Sequence, residues 1–265
     1  MARVRAPSEV RLQPLFTAQA DDHLRRVLCQ RPLLAFDFDG TLAPIVSRPG
    51  AARVPAATGR RLRTLAEQLP VAVISGRSIA DVSWRLGFKP WQIVGSHGAE
   101  VLDDPATARL STTLDSARRR LEASAALLRR AAVTVEDKGA SIALHYRRSP
   151  DHELALNTIA KVLDGLGSEI HVGGGKMVVN LTAAMANDKA KALRTLVRLA
   201  GAGAAVFVGD DRNDEPVFSA GEPDWLTVCV GRELANSQAQ YLLDSTADMP
   251  RLLERLLSVW RSIGG

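Results

Sequence analysis

Short apolar runs recur along this chain, and stretches with helical spacing separate them. Leu33-Leu34-Ala35-Phe36, Val71-Ala72-Val73-Ile74, Gln92-Ile93-Val94-Gly95 and Ala204-Ala205-Val206-Phe207-Val208 read as buried strands, as do residues 226–230. Residues 56–68, 78–86, 189–200 and 249–261 carry the 3.6-residue periodicity of helices. Strands that alternate with helices in this way predict a largely parallel α/β sheet of Rossmann-like type.

Past Asp103-Asp104-Pro105 the pattern changes. A long Ala/Leu/Arg-rich helix is predicted over 112–131. Two adjacent strands follow at 133–136 and 141–146, joined by the turn Asp137-Lys138-Gly139, and then a helix over 151–163. A strand at 169–172, a turn at Gly173-Gly174-Gly175 and a strand at 176–181 complete an inserted α+β unit. The expected organisation is an N-terminal extension over 1–24, a core formed by 25–106 and 178–265, and an inserted cap over 107–177.

Composition narrows the function classes. With 46% hydrophobic residues in 265, a sizeable core is available. The net charge of +5 is modest and spread over scattered arginines, and only 5% of residues are aromatic, so nucleic acid is not the expected partner. Cys29 and Cys229 are isolated, which excludes a zinc ribbon and a disulfide framework. The first twenty residues hold no continuous apolar segment, and no run approaches the ~20 needed to span a membrane. The expectation is a cytoplasmic protein without membrane association.

Chemistry concentrates where predicted strands end. Asp37-Phe38-Asp39-Gly40-Thr41 follows the first apolar run and sets two carboxylates on one side of an extended segment. Two such anions call for a cation. An EF-hand fails on spacing, because the glycine comes too early and the twelfth position is Arg48. Ser75-Gly76 offers a hydroxyl and a bare amide before a helix, suited to a phosphate oxygen; taken alone, an N-cap with a turn glycine is the favoured explanation. Lys189 opens a helix, where its ammonium can neutralise a phosphate. Gly209-Asp210-Asp211-Arg212-Asn213-Asp214 gathers three carboxylates after a strand, the oxygen donors that a hard Mg²⁺ prefers. There is no P-loop, no G-x-S-x-G elbow and no H-E-x-x-H helix.

In this order, the D-x-D-G-T, Ser-Gly, Lys and G-D-D-x-x-D motifs resemble those of the haloacid-dehalogenase-like phosphatases over roughly residues 30–262. Within that group, the runs Phe36 through Ile45, Ser75-Gly76-Arg77, Gly95-Ser96-His97-Gly98-Ala99-Glu100 and Gly209 through Glu215 are similar to those of the trehalose-6-phosphate phosphatase family. The segment Val135-Glu136-Asp137-Lys138-Gly139-Ala140-Ser141-Ile142-Ala143-Leu144-His145-Tyr146-Arg147 resembles that family's cap motif E-x-K-x-x-S-x-x-x-H-x-R, and Gly175-Lys176 resembles its second cap motif.

The resemblance implies a Mg²⁺-dependent phosphatase of trehalose biosynthesis with a haloacid-dehalogenase-like core and a cap. In it Asp37 is the nucleophile that carries an aspartyl-phosphate, Asp39 the general acid and base, and Lys189 the charge-neutralising cation. Gly40, Ser75 and Gly76 bind phosphate, and the metal is held by Asp37, the Asp39 carbonyl and Asp210, with Asp214 in support. Arg77, His97, Glu136, Lys138, His145, Arg147, Lys176 and Asn180 face the sugar. The implied partner is a small phosphorylated disaccharide, and the implied state is a monomer or small homo-oligomer. Two departures bear on specificity: Asn180-Leu181-Thr182-Ala183 stands where the family commonly has a glutamate followed by Leu-Arg-Pro, and Asn213 stands where threonine is usual. The alternatives are a phosphatase for another phosphosugar, such as sucrose 6-phosphate or a glucosylglycerol phosphate, and a non-catalytic sugar-binding relative.

Overall fold

The structure, a computed structural model, describes residues 12–98, 100–101, 111–175, 177–183, 188–232, 234 and 236–264. In chain order these form β1 (Gln13–Pro14), α1 (Ala18–Leu28), β2 (Leu33–Phe36), α2 (Ala56–Ala66), β3 (Val71–Ile74), α3 (Ile79–Ser83), β4 (Gln92–Gly95) and β5 (Glu100–Val101). Next come α4 (Asp115–Ala123), α5 (Ala125–Arg130), β6 (Thr134–Asp137), β7 (Ser141–His145), α6 (His152–Leu163), β8 (Ile170–Gly175) and β9 (Val178–Ala183). The chain closes with α7 (Lys189–Leu199), β10 (Ala205–Gly209), α8 (Glu215–Phe218), β11 (Trp225–Val230), β12 (Tyr241–Leu243) and α9 (Met249–Ser262). None of the described helices is long and apolar enough to cross a membrane.

Two compact units result, one of residues 1–74, 83–92 and 189–265, the other of 75–82 and 93–188. The first holds the parallel strands β1, β12, β11, β10, β2 and β3 in that order, with Ala35 level with Phe207 on one side and Ala72 on the other. Every residue of β2, β3, β10 and β11 is buried. That is why these strands read as unbroken apolar runs rather than alternating ones: helices cover both faces of a parallel sheet. Helix α9 turns Leu252, Leu253, Leu256, Leu257 and Trp260 inward and packs against α1 and α2. Helix α1 runs through residue 24, where the extension was expected to end, and buries Leu24, Val27 and Leu28. Its start is fixed by the Thr17 hydroxyl oxygen, which accepts the Ala20 amide at 3.2 Å.

The second unit contains the antiparallel sheet β6-β7-β9-β8, whose core of Leu121, Leu128, Ile142, Leu144, Ile159 and Leu181 is shared with α4, α5 and α6. The helix expected over 112–131 bends at Ser124, which leaves the helical basin at ψ 8°. Gly173-Gly174-Gly175 is the end of β8 rather than a turn. The three glycines pair with Asn180, Val179 and Val178, since a ladder needs backbone groups and no side chains. The reversal follows them, with Met177 at φ 63°. The expected division at 177/178 thus passes through a hydrogen-bonded hairpin, and the compact unit runs on to Asp188.

Candidate active site

Strand β2 ends at Phe36, so Asp37 and Asp39 lie on the loop that follows and not on the strand. The Asp37 amide donates to Val208 O at 2.9 Å, which pins the loop to the end of β10. The loop then closes on itself, with the Gly40 amide donating to Ala43 O and the Ala43 amide to Phe38 O, both at 2.8 Å. Gly40 has φ 82°, and a Cβ there would stand 1.9 Å from Asp210 Oδ2. Its role is therefore to have no side chain; its amide, the expected phosphate donor, is engaged within the loop. Asp37 is buried and Asp39 half-buried.

Asp37 is brought together with residues from the other end of the chain. Single carboxylate oxygens of Asp37, Asp210 and Asp214 all lie within 4.8 Å of one another. The Asp39 carboxylate is not in this group among the described residues. Lys189, only 2% exposed, places Nζ 2.6 Å from Asp214 Oδ1 and 3.0 Å from Asp37 Oδ1. The other oxygen of Asp214 accepts the amides of Asp210 at 2.9 Å and Asp211 at 3.0 Å. Gly209 leaves room for it, since a Cβ there would meet Asp214 Cγ at 2.4 Å. The Thr41 hydroxyl donates to Asp210 Oδ1 at 3.1 Å.

Charge in this pocket is out of balance. Burial pushes Asp37 up to about 7 against the pull of Lys189, and burial with the Asp37 and Asp214 charges pushes Asp210 up to about 9. Burial would lower Lys189, but the two carboxylates outweigh it and hold the ammonium above its ordinary value. Three carboxylates share one ammonium here, and their oxygens are hard donors. The donor set fits a divalent cation such as Mg²⁺, which would restore the balance.

The remaining predicted residues belong to the second unit. Ser75, 1% exposed, follows β3 directly. Its amide donates to Val94 O at 2.9 Å and its Oγ accepts the Arg77 amide at 3.1 Å. Its carbonyl accepts the His97 amide at 2.9 Å, and the Arg77 carbonyl accepts the Ser96 amide at 2.8 Å. The Gly76 carbonyl between them accepts Lys138 Nζ at 3.0 Å. With three successive carbonyls occupied, this turn retains, among the described residues, the Ser75 O–H and the Gly76 N–H as donors. The His97 ring lies over Gly76, where a Cβ would come within 2.3 Å of His97 Cε1. Arg77 pairs with Asp81 at 2.7 Å.

On the hairpin β6-β7, His145 Nε2 and Glu136 Oε2 share a hydrogen bond at 2.8 Å, which holds Glu136 below its usual range. Lys138 Nζ is 3.8 Å from the same oxygen. Arg147 is exposed, and Asn180 is half-buried on β9 opposite Ala143 and Gly173. Lys176 lies outside the described residues. Thr41, which carries no role in the sequence motifs, contacts Asp210 across 169 positions. Its place inside the D-x-D-G-T motif was the only signal.

Residues 35–245 match the family model described as trehalose-phosphatase. The chain is 33% identical over 249 residues to a trehalose-phosphate phosphatase of Mycobacterium ulcerans, a match that covers 88% of this chain and 63% of the relative. This chain therefore spans less than two thirds of that relative's length. The fold is similar to that of the C-terminal domain of Candida albicans trehalose-6-phosphate phosphatase, with a TM-score of 0.72 and 22% identity, covering 96% of this chain and 99% of that one. Aspergillus fumigatus trehalose-6-phosphate phosphatase gives a TM-score of 0.62 at 25% identity, over 94% and 99%. The chain belongs to the trehalose-phosphatase family.

Proposed function

We propose that this protein is a cytoplasmic Mg²⁺-dependent phosphatase that hydrolyses trehalose 6-phosphate to trehalose and phosphate. The observation that carries this reading is the group of buried Asp37, half-buried Asp210 and buried Asp214 around Lys189. Asp37 Oδ attacks phosphorus in line and the bond from phosphorus to the sugar oxygen breaks. Asp39 gives its proton to the departing oxygen. It then takes one from the water that attacks the aspartyl-phosphate, which returns Asp37 and releases phosphate. Lys189 offsets charge on Asp37 and on the phosphoryl group, and Ser75 and Gly76 donate to its oxygens. Asp37, Asp210 and the Asp39 carbonyl, with Asp214 in support, would hold Mg²⁺, which would supply electrostatic stabilisation of the phosphoryl oxygens.

We assign the sugar to Glu136, Lys138, His145, Arg147, Lys176, Asn180, Arg77 and His97, whose donors and acceptors suit hydroxyl groups. The test is phosphate release from trehalose 6-phosphate with Mg²⁺, with and without EDTA, by the wild type and Asp37→Asn. EDTA and Asp37→Asn should each abolish it; robust turnover by Asp37→Asn would remove Asp37 as nucleophile. One observation favours a second reading, a different phosphosugar: the neutral Asn180 amide stands where the family commonly has a carboxylate. Comparing kcat/KM for trehalose 6-phosphate, sucrose 6-phosphate and a glucosylglycerol phosphate separates the two.

A further inference from the structure

Glu100 takes no part in the chemistry above, yet it sits half-buried opposite Gly95 in the β4-β5 pair. Its Oε2 accepts the amide of Ile79, the first residue of α3, at 3.1 Å and the Ser96 hydroxyl at 3.5 Å. Gly95 makes room for it, since a Cβ there would lie 2.4 Å from that oxygen and 2.9 Å from both Arg77 O and Ile79 N. Burial raises the Glu100 carboxyl above its ordinary range.

Directly after Gly95 the backbone is strained. Ser96 and His97 are consecutive left-handed residues at φ 51° and 58°, a conformation that costs about 1–3 kcal/mol per residue. Such strain persists only where the surroundings hold it in place. Here the two strained residues supply the amides that grip the Arg77 and Ser75 carbonyls, on either side of Gly76. Glu100 joins the two turns from beneath, one oxygen reaching Ser96 on the first and Ile79, two residues past Arg77, on the second.

We propose that Glu100 is a positioning residue: it holds the strained Ser96-His97 turn against the Ser75-Gly76-Arg77 turn and so fixes the Ser75 O–H and Gly76 N–H that receive phosphate. This rests on the phosphatase reading of the Ser75 turn. The expected signature is weaker phosphate binding without loss of the fold, and recovery when an oxygen acceptor is restored.

The experiment titrates inorganic phosphate by calorimetry into the Mg²⁺-loaded full chain, for the wild type, Glu100→Ala, Glu100→Gln and Ser96→Ala, with thermal melts alongside. Glu100→Ala should weaken phosphate about tenfold, the scale of one hydrogen bond to a charged group, while Glu100→Gln stays within about threefold of the wild type. Ser96→Ala should fall between them, and it carries the test if Glu100→Ala does not fold. Wild-type phosphate affinity in a folded Glu100→Ala or Ser96→Ala protein overturns the proposal, as does a Glu100→Gln protein as weak as Glu100→Ala. A wild type that binds phosphate but releases none from phosphosugars defeats the phosphatase reading alone, and the same titrations still decide Glu100. A wild type that binds no phosphate overturns both.

Discussion

The Lys189 ammonium donates to Asp214 Oδ1 at 2.6 Å, and Asp214 is fully buried, so two charges from separate motifs neutralise each other in the interior. Asp214 spends its second oxygen on the amides of Asp210 and Asp211. It therefore positions the lysine toward Asp37 and the backbone that carries Asp210.

Breaking that pair should cost both stability and turnover. Removing one partner of a buried ion pair leaves the other uncompensated, at about 3–5 kcal/mol. Lys189→Met should unfold at lower denaturant in EDTA and lose about 10²–10³ in kcat, the scale of a deleted charge-stabilising group. Denaturant melts beside phosphate-release kinetics check both.

Gly40→Ala should disable the site from a single methyl. Its Cβ would stand 1.9 Å from Asp210 Oδ2, at a backbone φ of 82° that costs a non-glycine residue about 1–2 kcal/mol. Asp210 must then move, so Mg²⁺ affinity should fall by more than tenfold, on the scale of lost ligand placement. Metal titration by calorimetry reads this directly. Wild-type affinity would mean that Asp210 does not hold the ion.

The metal-free protein should lose stability as pH rises. Asp37 and Asp210 sit at about 7 and about 9 when folded, against about 3.9 when unfolded. Between about pH 4 and 9 the folded state thus binds more protons than the unfolded one, and stability falls with pH. The contribution is full below about pH 4 and gone once pH passes the folded values. Thermal melts in EDTA should show this slope and Asp210→Asn should flatten it. Mg²⁺ should bind more tightly as pH rises, because its ligands must be deprotonated.

The hairpin pair should govern substrate affinity more than chemistry. Glu136 and His145 are bonded at 2.8 Å, so either loss frees the other. Glu136→Gln and His145→Ala should raise KM by about tenfold while kcat changes less, the pattern of lost uniform binding. Steady-state kinetics on trehalose 6-phosphate checks the split.

Much of the fold was legible because a parallel sheet buries both faces. β2, β3 and β10 fall within a residue of the apolar runs that announced them, since no polar residue interrupts a strand covered on both sides. What escaped was structure carried by few or neutral residues. β1 and β12 are two and three residues long, too short for any period to register. The glycines at 173–175 read as a turn, yet they complete β8 because their pairing uses the backbone alone.

For the site, residue types and their spacing were enough to show which chemical groups are present: the D-x-D-G-T loop, the Ser-Gly turn, the helix-opening lysine and the acidic turn, in an order that resembles the haloacid-dehalogenase-like phosphatases. How those groups meet was set by folding. It grouped Asp37 with Asp210 and Asp214, turned Asp214 toward Lys189, and engaged the amide of Gly40 inside its own loop. Contacts such as Thr41 to Asp210 span 169 positions, and adjacent parallel strands, not local spacing, bring such residues together.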